Sequence, residues 1–141
     1  MADQTSCGML LKQINDELEK RANNALRSQN LTIAQLGALM VLNQSPERQI
    51  PLKELERKLH VAQSTAAGII TRLEQKGFVE SFGDAADHRI KMVRITQQGV
   101  QCCLSAEQNM DQEETLLLSG LTDTEKLIFI SLLQKVRNML P

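Results

Sequence analysis

The chain has no tryptophan and no tyrosine, and only three phenylalanines among its 141 residues. A core without aromatic bulk has to be built from Leu, Ile, Val, Ala and Met, a palette that suits packed helices better than extended sheet. Cysteine is scarce as well. Three thiols, an odd number, do not make a disulfide framework. No stretch approaches the roughly 18 consecutive apolar residues of a membrane span. The first residues lack the basic-then-apolar pattern of a secretory leader, so the expected location is the cytoplasm. No Ser-His-Asp set, Gly-rich phosphate loop, C-x-x-C or H-x-x-x-H spacing occurs, and His60 and His88 lie in distant segments. Those absences argue against an enzyme, a cofactor and a metal centre.

What is present fits one domain of ordinary size, residues 1–141. The formal net charge of −1 hides an asymmetry. Residues 48–98 hold nine Lys+Arg against six Asp+Glu, while the rest holds seven against eleven. A basic middle between acidic ends points weakly to an anionic partner at the middle.

Apolar periodicity sets the order of elements. Leu11, Ile14, Leu18, Ala22 and Ala25 recur at helical spacing and predict a long amphipathic helix over 6–28. Thr32 with Gln35 is a capping box, with Leu31 able to staple to Leu36, and a helix follows over 33–43. Pro46 and Pro51 bracket a loop with room for one short extended piece. Leu52, Leu55 and Leu59 make the buried stripe of a short helix that Pro51 opens. Ala66, Ile69, Ile70 and Leu73 make the buried face of the next helix, and Gly77 fits its C-terminal cap. Two helices joined across "HVAQ" have helix-turn-helix spacing.

Two strands are predicted over 78–82 and 91–96, with Val93 and Ile95 on the core face and Met92 and Arg94 on the other. The charged tip "GDAADHR" joins them. Two helices close the chain, over 98–118 and, from a second capping box at Thr122 and Glu125, over 123–139. The last helix is apolar over more than one face, which points to an oligomer interface made by the two ends of the chain. The fold class is therefore mainly α with a small β-hairpin wing: a winged helix-turn-helix over 30–97, flanked by helices over 1–29 and 98–141 that carry the oligomer interface.

A helix-turn-helix followed at once by a hairpin is suited to duplex DNA. Gln63, Ser64, Thr65 and Thr71 stand on the exposed side of the second helix. Short hydroxyls and amides at a helix N-terminus suit phosphate oxygens, and Gln63 is long enough to reach a base edge. Arg89 on a thin arm can enter a minor groove. Asp87 either orients that guanidinium by a charge-assisted bond or pairs with Arg72 and braces the wing. Lys91 and Arg94 are candidates for phosphate contacts, set against plain solvation on an exposed strand.

In these segments the chain resembles the MarR (multiple antibiotic resistance regulator) family of transcription factors. The segments are "LTIAQLGAL", "STAAGIITRLEQKGFV", "DAADHRIKMVRITQQG" and "LTDTEKLIFISLLQKV", with the Asp-x-Arg wing signature at Asp87 and Arg89 followed by Val93, Ile95, Thr96 and Gly99. The resemblance implies a homodimeric DNA-binding regulator with dimerisation helices over 1–29 and 98–141, a repressor released by a small-molecule or redox input. It places the helix from Gln63 in a major groove, with Arg72 and Lys91 among its DNA-facing residues, and Arg89 in the adjacent minor groove. A small aromatic or apolar acid is the effector class it implies. Two positions depart from the family pattern. Gly68 stands where a polar or basic DNA contact is common, and it allows close approach of DNA or of a neighbouring helix. Ala62 stands where a capping residue is common. Two other readings stay open: a winged helix used for protein contacts alone, and a regulator sensing oxidants through Cys7, Cys102 or Cys103.

Overall fold

The computed structural model describes residues 6–141. The first helix, α1 (Cys7–Ser28), starts at Ser6, whose hydroxyl accepts the Met9 amide at 3.3 Å. It is charged along its outer surface, with Lys12 paired to Asp16 at 2.7 Å and Arg21 to Glu17 at 3.1 Å. α2 (Ile33–Gln44) opens on the expected capping box: the Thr32 hydroxyl accepts the Gln35 amide, and the Gln35 side chain accepts the Thr32 amide. Leu31 and Leu36, the predicted staple, are both buried in the core.

A single 3-10 turn (Pro46–Arg48) follows, with Glu47 and Arg48 in left-handed backbone at φ 56° and 57°. The extended piece becomes a true strand, β1 (Gln49–Pro51). α3 (Leu52–Leu59) and α4 (Gln63–Gln75) form the helix-turn-helix, and β2 (Val79–Gly83) and β3 (Lys91–Ile95) form the wing. α5 (Gln97–Leu117) and α6 (Asp123–Asn138) complete the chain.

The antiparallel sheet has the order β1-β3-β2, with Ile50 opposite Val93 and Val79 opposite Ile95. The wing is thus three-stranded rather than a bare hairpin. That explains one departure from the sequence expectation. Met92, placed on the outer face, is buried together with Val93. β3 is the central strand, and Pro51 and Phe82 stand opposite Met92 on the two flanking strands.

The chain divides into two compact units, Met1–Glu107 and Gln108–Pro141. In the first, Leu39 and Leu42 of α2, Leu55 of α3, Ile70 and Leu73 of α4, Val93 of β3 and Cys103 of α5 are fully buried. Burying each such Leu, Ile or Val side chain contributes about 1.5–3 kcal/mol. The early turns of α5, through Val100, Cys102, Cys103 and Ala106, belong to this core. In the second unit the Thr122–Glu125 capping box forms as expected, and α6 buries none of its residues.

Candidate nucleic-acid interface

α4 is amphipathic because Ala66, Ile69, Ile70 and Leu73 fall on one side and are all buried. At 100° per residue the line opposite them runs through Ser64, Gly68, Thr71 and Gln75. Ser64, Thr71 and Gln75 are exposed, and Gly68 is at the surface of the helix with open space above it. Gln63, Thr65 and Arg72 are exposed beside that line. Ala62 occupies the N-cap and its side chain makes no capping bond, so the free amides of the first turn keep no side-chain acceptor there. The Thr71 hydroxyl donates to the Ala67 carbonyl at 2.9 Å.

The far end of α4 is held by two junctions. The Lys76 ammonium donates to Gln35 Oε1 at 2.8 Å and to the Asn30 carbonyl, tying α4 to the start of α2. Thr96 makes the second. Its hydroxyl donates to the Gly77 carbonyl at 2.6 Å and accepts the Gly99 amide at 3.2 Å, while its own amide donates to the Phe78 carbonyl at 3.0 Å. One residue therefore joins the end of α4, the start of β2 and the N-terminus of α5. Gly77 turns the chain there at φ 79°, as the sequence expectation of a glycine cap requires, and a Cβ on it would lie 2.7 Å from Gln98 Oε1.

At the wing tip, Asp84 Oδ2 accepts the amides of Ala86 and Asp87, each at 3.1 Å. Asp87 then holds Arg89 in a fork. Arg89 Nε donates to Oδ1 at 3.0 Å and Nη2 to Oδ2 at 3.1 Å, and the Arg89 amide donates to Oδ1 at 3.1 Å. The Arg89 side chain is 91% exposed. This pairing keeps the Asp87 carboxyl below its ordinary 3.8, the Arg89 side chain being the larger cause and its amide the smaller. The same contact raises the Arg89 pKa. Of the two partners considered for Asp87, the structure shows Arg89.

Arg94 is committed elsewhere. Its Nε and Nη2 donate to Glu80 Oε1 at 2.9 and 2.6 Å, and its guanidinium lies 4.7 Å from the centre of the Phe82 ring. Lys91 is exposed at the start of β3.

The cysteines divide by burial. Cys7 is exposed at the start of α1, and Cys102 and Cys103 are buried. Burial pushes the Cys102 thiol up, against the opposing charge of Lys76. Burial, then Cys102 and Glu107, push Cys103 up to about 11. Both stay protonated at neutral pH, the opposite of what a sensing thiol needs. A shallow groove beside them is lined by Gln29, Phe78, Gln97, Gln98, Gln101, Cys102 and Ser105, with no charged side chain. Among the described residues no group of three or more His, Cys, Asp or Glu is placed to hold a metal ion, and no helix is long and apolar enough to cross a membrane.

Sequence reasoning gave three residues, Asp84, Thr96 and Lys76, no positioning role. Asp84 and Thr96 had local signals, an aspartate at a turn and a threonine directly before a helix. Lys76 had none, since its partner Gln35 lies 41 positions away.

Two helices in helix-turn-helix order, an outward polar ridge on the second, and a wing ending in an oriented arginine define a winged helix-turn-helix DNA-binding protein. The chain belongs to the MarR family, whose model matches residues 31–91, from the start of α2 to the start of β3. It is a transcriptional regulator and not an enzyme. It is 30% identical over 121 residues to the HTH-type transcriptional regulator YxaD of Bacillus subtilis, covering 86% of this chain and 79% of that one. It is 34% identical over 80 residues to YwaE of the same organism, a match spanning 57% of this chain but only about half (47%) of that relative. Among solved structures, apo wild-type MarR from E. coli superposes with TM-score 0.78 at 27% identity, covering 99% of each chain. A point mutant of S. aureus MepR bound to an oligodeoxyribonucleotide superposes with TM-score 0.75 at 22% identity, covering 96% of this chain and 99% of that one.

Proposed function

We propose that the protein is a homodimeric repressor that binds a near-palindromic operator and leaves it when a small-molecule effector binds. The observation that carries the dimer is α6. Its apolar side chains stand in solvent, Leu127 at 72% exposed, with Ile128, Leu132 and Val136 also exposed, and Met139 directly after the helix is 84% exposed. Met9, Leu10, Leu11 and Ile14 of α1 are uncovered in the same way. A soluble chain does not keep that much apolar surface wet, and a second copy covers it. In this reading 1–29 and 98–141 carry dimerisation and 30–97 carries DNA.

Gln63, Ser64, Thr65, Gly68 and Thr71 face the major groove, with Arg72 and Lys91 toward phosphates. Arg89, oriented by Asp87, enters the minor groove. The MepR mutant bound to an oligodeoxyribonucleotide supports duplex DNA as the partner. A small aromatic or apolar acid is the effector class that family likeness favours.

Sedimentation at low micromolar concentration, followed by footprinting, tests the reading. Twice the chain mass and two half-sites with centres ~34 Å or ~10 base pairs apart are expected. A folded monomer, or a single asymmetric half-site, overturns it.

A further inference from the structure

The wing tip is not basic. Residues 84–90 join the last paired positions of the hairpin, Gly83 and Lys91. They carry two aspartates, Asp84 and Asp87, against one arginine, Arg89. The Asp87 fork closes on the guanidinium with two side-chain bonds, so from a distance that pair is close to neutral. A narrow minor groove is strongly negative, and Asp84 brings a further negative charge to it. Net charge therefore does not draw this arm into DNA, and its entry needs a gain that is not electrostatic.

Ile90 supplies one. Its side chain is 43% exposed. Single surface hydrophobics are ordinary; what sets this one apart is its place. Among the described residues it is the one exposed large apolar side chain between Ile33 and Leu104, and it directly follows Arg89. Its backbone is fixed on both sides. The Ile90 amide donates to the Asp87 carbonyl at 3.0 Å, and the Ile90 carbonyl accepts the Asp84 amide at 3.0 Å. The side chain is β-branched, so little freedom remains for it to lose on contact. Ala85 and Ala86, exposed in the same turn, add two methyls. A minor groove is about 6 Å wide, so an arm inside it meets the sugars of both walls. Apolar side chains are regular occupants of minor grooves.

We propose that Ile90 is a DNA-contacting residue that packs on the deoxyribose wall of the groove entered by Arg89, and that this apolar contact, not net charge, seats the wing. This rests on the proposal that the wing enters the minor groove.

The test uses the full-length protein on a duplex that it selects from a random pool. Ile90→Ala removes three carbons. With about half of that surface against sugar, binding should weaken roughly eight-fold per half-site. Ile90→Val, which removes one carbon, should fall between. The slope of log K against log salt should keep the parent value, because an apolar contact releases no counterion. The melting temperature should not move, since the side chain is exposed. Hydroxyl-radical cleavage, which attacks the sugars, should show protected deoxyriboses in the minor groove flanking each half-site, and weaker protection there with Ile90→Ala. Undiminished affinity in Ile90→Ala, a loss that comes with a shallower slope, or a lower melting temperature overturns the proposal while DNA binding stands. If the parent protein leaves those sugars unprotected, the wing does not enter the groove, and the wing reading falls together with this proposal.

Discussion

Arg89 carries the sharpest expectation at the scale of single residues. Its guanidinium is already oriented by the Asp87 fork, so little rotamer freedom remains to be lost when it docks. Arg89→Ala should weaken operator binding on the order of ten-fold or more with the melting temperature unchanged. Arg94→Ala should lower the melting temperature with a smaller effect on binding, because Arg94 is bound to Glu80 and Phe82. Lys91→Ala should weaken binding evenly across sequences, as a phosphate contact does. Titration of the three variants on one operator, with melting curves alongside, decides the assignment. The sequence already placed Arg89 and Asp87 side by side. What it lacked was the direction of the pairing, which depends on the tip's own turn and on Asp84 accepting two amides within it.

The buried thiols give a second expectation, with a definite sign. Cys103 titrates at about 11 when folded, above its ordinary 9.0. A raised thiol pKa means that the unfolded chain loses its proton first. Stability from this group is complete below about pH 9 and is lost as pH rises toward about 11. The denaturant midpoint should fall across that window, and Cys103→Ala should flatten the fall while lowering stability overall. An equally steep decline in the variant would place the cause elsewhere.

At the scale of elements, the helices were legible because their signals are local. Both capping boxes, the Gly77 turn and the buried face of α4 follow from spacing within one or two turns. β1 was visible only as an extended piece between prolines. Its strand character comes from pairing with β3, and pairings that distant leave no local trace. The same holds for Lys76, whose two acceptors belong to the Asn30 turn and to the capping box of α2. Lys76→Met should remove both bonds and leave Gln35 Oε1 with the Thr32 amide alone. The expected loss is about 1–2 kcal/mol in urea unfolding. An unchanged midpoint would mean that the junction adds nothing to packing.

Over the whole molecule, formal charge near neutrality conceals a basic middle, so attraction to DNA is local rather than global. With several Lys and Arg per subunit offered by a dimer, log K against log salt should have a slope of at least roughly −4, at about −0.9 per phosphate neutralised. Affinities measured over a range of salt concentrations check this. A flat dependence would remove phosphate contacts from the binding mode and favour a winged helix that meets other proteins.

The position of β3 between its two neighbours also sets an order in time. Pairing β3 with β2 closes only the tip, residues 84–90, whereas pairing β3 with β1 closes everything from 52 to 91. By loop-closure entropy the second event costs about 1.5 kcal/mol more than the first, unless α3 and α4 have already drawn the ends together. The hairpin therefore forms early, and β1 joins once the helix pair exists. In that interval one edge of β3 is an open strand in search of a partner, and the three residues around Ile50 are what close it off from other nascent chains.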